Sequence, residues 1–406
     1  MTSKRFIAGG RVSRPVETGR RPTLLSSFDP KHNSLNFLRL VLAITVIYSH
    51  AILLGGYADE RLLNTNLSTI ALYGFFGLSG FLVAGSASRN RTGRYLWQRC
   101  VRVFPAFWVC LLLTGFLFAG IAWVFGGQGP AHCGYGCFLS QSDGPFQFFY
   151  HNALLKINQP MIAQTPRDIP FAHDWNGALW SLSYEFICYL LLGLVALLGL
   201  LRRRVVLLVA TVVLWISEFG ISIGFNHQLI SLNSTIFFLG HIAVFVPLFL
   251  TGCVVFLYRE KIPDSGYLAL ALSALFIASL WWPLDLPTNR FTGQIGGAAL
   301  WAPAVVYPLL WLGIHLPFQR IGARNDYSYG IYIYGWPVQE LMVVWGVQHW
   351  GYPAYATFCV LVTIPFAVAS WWLVEKHALA LKNFDPVASY RQSRQGKGKR
   401  IESLDT

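Results

Sequence analysis

Arg39 and His50 stand eleven positions apart in one apolar run, Asn36 to Leu54. At roughly 100° per residue, eleven residues make about 1100°, three turns plus about 20°. In a helix both side chains therefore leave nearly the same face, with a rise of roughly 16 Å between them. That arrangement sets a permanent cation at one depth and a titratable base at another. Ionisable groups are expensive inside a membrane and usually face a polar cavity or a partner. The competing reading is that each snorkels to the nearer headgroup layer.

Four more positions carry comparable chemistry. Glu185, in Trp180-Ser181-Leu182-Ser183-Tyr184-Glu185, is a carboxylate within an apolar run and needs a partner, usually a histidine or arginine. Arg99 and Arg102 share a helix face at i and i+3, and two such guanidiniums suit phosphate capture or headgroup anchoring. Ser79, in Phe75-Phe76-Gly77-Leu78-Ser79-Gly80-Phe81, lies where two glycines thin a helix and let a neighbouring backbone or a ligand chain approach. Asp326-Tyr327-Ser328-Tyr329 through Pro337 opens another run with hydroxyls able to line a polar cavity, although belt anchoring also explains its tyrosines. Glu218, His241 and Glu340 are further ionisable residues in apolar runs, and local spacing does not say what they pair with.

The elements that must hold these residues are membrane helices. Of 406 residues 54% are hydrophobic and 12% charged, with a mean hydropathy of +0.48, more apolar surface than one soluble core can bury. The apolar runs are continuous rather than alternating, which disfavours a closed barrel. The fold class is therefore all-α, a polytopic transmembrane bundle. Ten spans are expected, at about 36–54, 68–86, 104–125, 178–200, 205–222, 234–257, 266–283, 296–315, 328–346 and 354–374. Most of the 31 Lys and Arg fall in the tails and even-numbered loops, and only Arg61, Lys156, Arg167 and Arg290 lie on the opposite side. The positive-inside rule then places both termini in the cytoplasm of an inner, cell-membrane protein, with 126–175 external. The net charge of +13 reads as a topology and anionic-lipid signal rather than nucleic-acid binding.

Residues 1–33 are expected as a disordered basic tail without a signal peptide, 34–375 as the transmembrane domain and 376–406 as a second basic tail. Cys133 and Cys137 are spaced to form a small disulfide loop, and no metal site is expected. No internal repeat supports the inverted halves of a transporter.

Taken together, Arg39-x10-His50, Phe75-Phe76-x-x-Ser79-Gly80-Phe81, Arg99-x-x-Arg102 before Pro105, Trp180-Ser181-Leu182-x-x-Glu185 and Ser328-Tyr329-x-Ile331-Tyr332 with Pro337 resemble the membrane-bound acyltransferase family 3. The resemblance covers about 34–375. It departs at Asn36, where many members have Asp, and at Gly335, where many have His. The resemblance implies O-acylation of sugars in surface polysaccharides, lipopolysaccharides or related glycoconjugates, with acyl-coenzyme A as cytoplasmic co-substrate and acetyl as the commonest group. It also implies a carbohydrate or glycolipid acceptor among membrane lipids, and no tightly bound cofactor. On that reading His50 is the base, or a transient acyl carrier, because a sugar hydroxyl is a poor nucleophile at neutral pH. Arg39 holds the donor or stabilises the oxyanion, Glu185 orients His50, Arg99 and Arg102 bind coenzyme A phosphates, and the slim helix at Ser79 leaves room for the pantetheine arm. The rival from another class is a transporter or flippase for a lipid-linked sugar or anionic metabolite.

Overall fold

The computed structural model describes residues 22–57, 66–130, 132–226, 234–281, 288–289, 294–295 and 301–384. Long helices form at each of the ten apolar runs: α1 Leu35–Leu54, α2 Leu67–Arg89, α3 Thr92–Leu112, α4 Trp180–Leu197, α5 Arg204–Asn226, α6 Ser234–Tyr258, α7 Gly266–Trp281, α8 Ala302–His315, α9 Ser328–Val344 and α10 Tyr352–Ser370. α3 runs on through a π-helical turn, Leu113–Phe118, into Ala119–Phe125, and α10 through a second, Trp371–Glu375, into Lys376–Ala380. Six stretches are long and apolar enough to cross a membrane: Leu35–Leu54, Leu67–Arg89, Thr92–Phe125, Trp180–Leu197, Phe238–Tyr258 and Tyr352–Asn383. The chain is a multi-pass membrane protein. Its one strand ladder among the described residues pairs Thr288–Asn289 with Gln294–Ile295.

α9 is the most enclosed helix, with every residue from Ser328 to Val343 buried. It carries three tyrosines, Gln339 and Glu340, groups that lipid tails cannot satisfy, so it packs among α1, α3 and α10 rather than facing the bilayer. α2 and α6 make the closest helix crossing. A Cβ on Gly80 would overlap the Phe249 carbonyl, and one on Gly252 the Gly77 carbonyl. Small residues let these two backbones touch. Gly80→Ala or Gly252→Ala is therefore expected to cost about 1–3 kcal/mol. A lowered apparent unfolding midpoint in detergent would show it, with Gly136→Ala as the control, since a Cβ there meets nothing within 4 Å.

Two boundaries move from the expectation. The basic segment after the second run is helix, not loop: only Asn90 and Arg91 separate α2 from α3. Arginine is a good helix former, and tertiary bonds hold this end, Trp97 Nε1 to the Leu381 carbonyl at 2.9 Å and Arg94 to Asn383 Oδ1 at 3.0 Å. Residues 22–28 are docked rather than free, with Leu24 buried and its N–H on the Ile262 carbonyl; residues 1–21 lie outside the described residues.

Residues 126–130 and 132–175, the described part of the segment 126–175, fold into a cap with short helices Tyr135–Leu139 and Pro145–Asn152 and a Cys133–Cys137 disulfide. Trp175 anchors it, fully buried with Nε1 donating to Thr165 Oγ1 at 2.9 Å. Just beyond, Asn176 donates to the Ile333 carbonyl of α9 at 2.9 Å. The cap is thereby tied to the central helix.

Candidate active site

Three layers of polar residues line the interior between α1, α2, α3, α4 and α9. At the lowest, Asp326, in the turn before α9, accepts from Arg39 of α1 at 2.9 Å and from Arg102 of α3 at 2.6 Å. Arg102 also reaches Glu375 at 3.4 Å, on the π-turn of the last helix, and Ser370 donates to that carboxylate at 3.2 Å. Burial alone would raise the Asp326 pKa. The charges of Arg39 and Arg102 and the bonds from Ser328 outweigh it and hold the carboxyl below the usual carboxylate range.

Arg99 and Arg102, expected as a phosphate fork, have different partners in the fold although both line one cavity. Arg102 is committed to two carboxylates, whose positions 224 and 273 residues further along no local spacing could reveal. Arg99 instead spreads over the Tyr95 and Tyr189 rings, 6.0 and 5.7 Å from their centroids, and makes no ion pair among the described residues. A cavity of about 520 Å³ opens at this level. Its wall carries Arg39, Arg89, Arg99, Arg102, Arg324 and Lys382 against one described carboxylate, Asp326. Such a surface attracts a polyanion.

In the middle layer Glu185 accepts from Ser79 at 2.7 Å and from Tyr189 at 2.5 Å. The expectation that Glu185 orients His50 finds no hydrogen bond to carry it, because Ser79 and the tyrosine one turn along its own helix take its place. Ser79 is likewise a partner of Glu185, where a ligand contact was expected. Above them Ser181 and Tyr332 share a hydrogen bond of 2.5 Å, and Tyr332 donates to the Ala178 carbonyl. A narrow pocket of about 30 Å³, room for a water or two, lies between Arg39, Phe75, Glu185 and Tyr332. Arg39 lines both this pocket and the basic cavity, so the two meet at its side chain.

At the far layer the His50 and Trp336 rings pack edge to face, with centroids 4.7 Å apart and planes at 68°. Trp336 Nε1 points to Glu340 Oε1 at 3.2 Å and to the Asp174 carbonyl at 3.4 Å. Burial pushes the Asp174 carboxyl up to about 7, against a bond from the Gly177 N–H. Gly335, where a histidine was noted as common, abuts Ile47: a Cβ there would lie 2.7 Å from Ile47 Cγ1. Asn36 donates to the Gly322 carbonyl at 2.8 Å. His241 packs against Trp180 and Tyr184 outside these layers.

Asp326 and Trp336 were missed as site residues. Asp326 left one signal, an acid heading the Ser328-Tyr329 motif; Trp336 left none, being one of 15 tryptophans.

The family model described as an acyltransferase domain matches residues 32–372. The chain is similar to an "O-acetyl transferase" of Shigella phage Sf6, 26% identical over 360 residues, covering 86% of this chain and 96% of that protein. It is also similar to "Nodulation protein 10" of Rhizobium leguminosarum bv. viciae, 26% identical over 384 residues, covering 86% of this chain and 94% of that one. No solved structure matches the chain significantly.

Proposed function

The chain belongs to acyltransferase family 3, and from that premise we propose that it moves an acyl group from acyl-coenzyme A to a sugar hydroxyl of a surface polysaccharide, lipopolysaccharide or related glycoconjugate. It is a transferase of groups other than amino-acyl groups. The observation that carries the donor is the cavity with six cationic side chains and one carboxylate, which meets the narrow pocket at Arg39. Coenzyme A phosphates suit Arg99, Arg89, Arg324 and Lys382, whose charges the described carboxylates leave available. The pantetheine arm then runs past Arg39 toward His50, which requires the Phe75 and Tyr332 rings to swing aside from a pocket of about 30 Å³.

His50 takes the proton of the acceptor hydroxyl as its oxygen attacks the thioester carbonyl. The new C–O bond forms, the C–S bond breaks, and the imidazolium returns the proton to the departing sulfur. Arg39 sits roughly 16 Å of helix rise from His50 and is held by Asp326, so it serves the donor rather than the oxyanion. The basic end faces the cytoplasm on this reading, and the His50 end faces the acceptor.

Labelled acetyl-coenzyme A given to membranes containing the protein should leave label on glycan, lost when the gene is removed. A transporter would alter glycan export and leave no label. For the donor site, Arg99→Ala should raise the apparent donor KM about tenfold, the loss of one hydrogen bond to a charged group. Arg99→Lys should recover part of it, because the planar fork is lost. An unchanged donor KM in Arg99→Ala would make Arg99 a headgroup anchor.

A further inference from the structure

If Glu185 does not orient His50, something else must. A reactive imidazole displaced by about 1 Å can lose about 100-fold in rate, so its ring needs a rigid neighbour. Among the described residues no hydrogen bond reaches the His50 ring. Its ring contact is with Trp336.

Trp336 is itself held on three sides. Its N–H is shared between Glu340 Oε1 and the Asp174 carbonyl, at 3.2 and 3.4 Å. Phe171 packs on the ring with centroids 5.8 Å apart. Gly177 comes so close that an added Cβ would lie 2.6 Å from Trp336 Cζ2. Glu340 is fully buried, and its second oxygen, Oε2, has no hydrogen-bond partner. A buried carboxyl group half-satisfied in this way destabilises a fold, so packing alone does not account for it. The same stretch of α9 grips α1 one turn below His50, with Gln339 Nε2 donating to the Ile47 carbonyl at 2.8 Å.

We propose that Glu340 and Trp336 are positioning residues for His50: Glu340 fixes the indole through its N–H, and the indole fixes the imidazole facing the acceptor. The inference rests on His50 being the reactive base. Because Phe171 and Asp174 belong to the cap and Gly177 to the turn that leads into α4, the same assembly also joins the cap to the reactive ring.

The test is a double-mutant cycle in the full-length membrane protein, read as kcat and as KM for acetyl-coenzyme A, at matched abundance. Trp336→Phe keeps a ring against His50 and removes the N–H; it should lower kcat about 10–100-fold with donor KM unchanged. Glu340→Ala should do the same. Glu340→Gln, which still offers an amide oxygen to the indole, should recover most of the rate. In the Trp336→Phe background, Glu340→Ala should cost nothing more, since its route to His50 is already cut. Independent, multiplying losses would overturn the proposal, as would Glu340→Gln being as damaged as Glu340→Ala. Near-normal kcat in Trp336→Phe, while His50→Gln is inactive, would remove this inference and leave His50 as the base. Full activity in His50→Gln would remove that base itself.

Discussion

Acyl transfer should fall by roughly 10²–10⁴-fold when His50 becomes Gln, the usual loss when general-base help is withdrawn. The glutamine amide can still hydrogen-bond a hydroxyl but cannot take its proton. His50→Ala should fall at least as far. Both variants should accumulate near wild-type levels, because no hydrogen bond among the described residues depends on the ring. Their donor KM should also hold, since the basic cavity lies about three helical turns away. Transfer rates at matched membrane abundance check this. Near-normal transfer in His50→Gln would return the residue to a headgroup anchor.

Asp326→Ala should have the second large effect, for a different reason. It strips the shared acceptor from Arg39 and Arg102, whose side chains are only 20% and 16% exposed. Breaking a buried ion pair from one side costs about 3–5 kcal/mol, because the remaining charge stays buried without compensation. Arg102 keeps Glu375, so the lower end of that range applies, and Arg39 should lose its fixed position. The expected result is a lower apparent unfolding midpoint together with a loss of transfer. Asp29→Ala offers the contrast: that carboxylate pairs with His32 at 2.8 Å with both partners largely exposed, and solvent screening leaves such a pair little to contribute. Equal midpoints in the two variants would contradict the buried network.

The helices were legible because a bilayer imposes long continuous apolar runs, and each of the ten runs contains a long helix. The pairing of charges was not legible. Arg39 and Arg102 each find Asp326 more than 200 residues away, and a chain's local spacing records nothing of such contacts. Helical phase did place Arg39 and His50 correctly at two levels of α1. It could not tell that Arg99 and Arg102, which line one cavity, meet different neighbours, aromatic rings for one and carboxylates for the other. For Glu185 the nearest satisfiers were modest residues, Ser79 and Tyr189, and seeking a charged partner overlooked them. Trp336 is the reverse case: an apolar helix position whose importance lies in the ring it touches.

Acyl groups should pass from a donor at the Arg39 end to an acceptor at the His50 end. Purified protein reconstituted into liposomes, with its orientation determined by protease access, tests this most directly. Labelled acetyl-coenzyme A is offered on one side only and a glycan acceptor on the other. Label should reach the acceptor when the donor faces the basic cavity, and should be lost in His50→Gln. Equal labelling with the donor confined to the His50 side, or carriage of unmodified acceptor without label, would contradict the account.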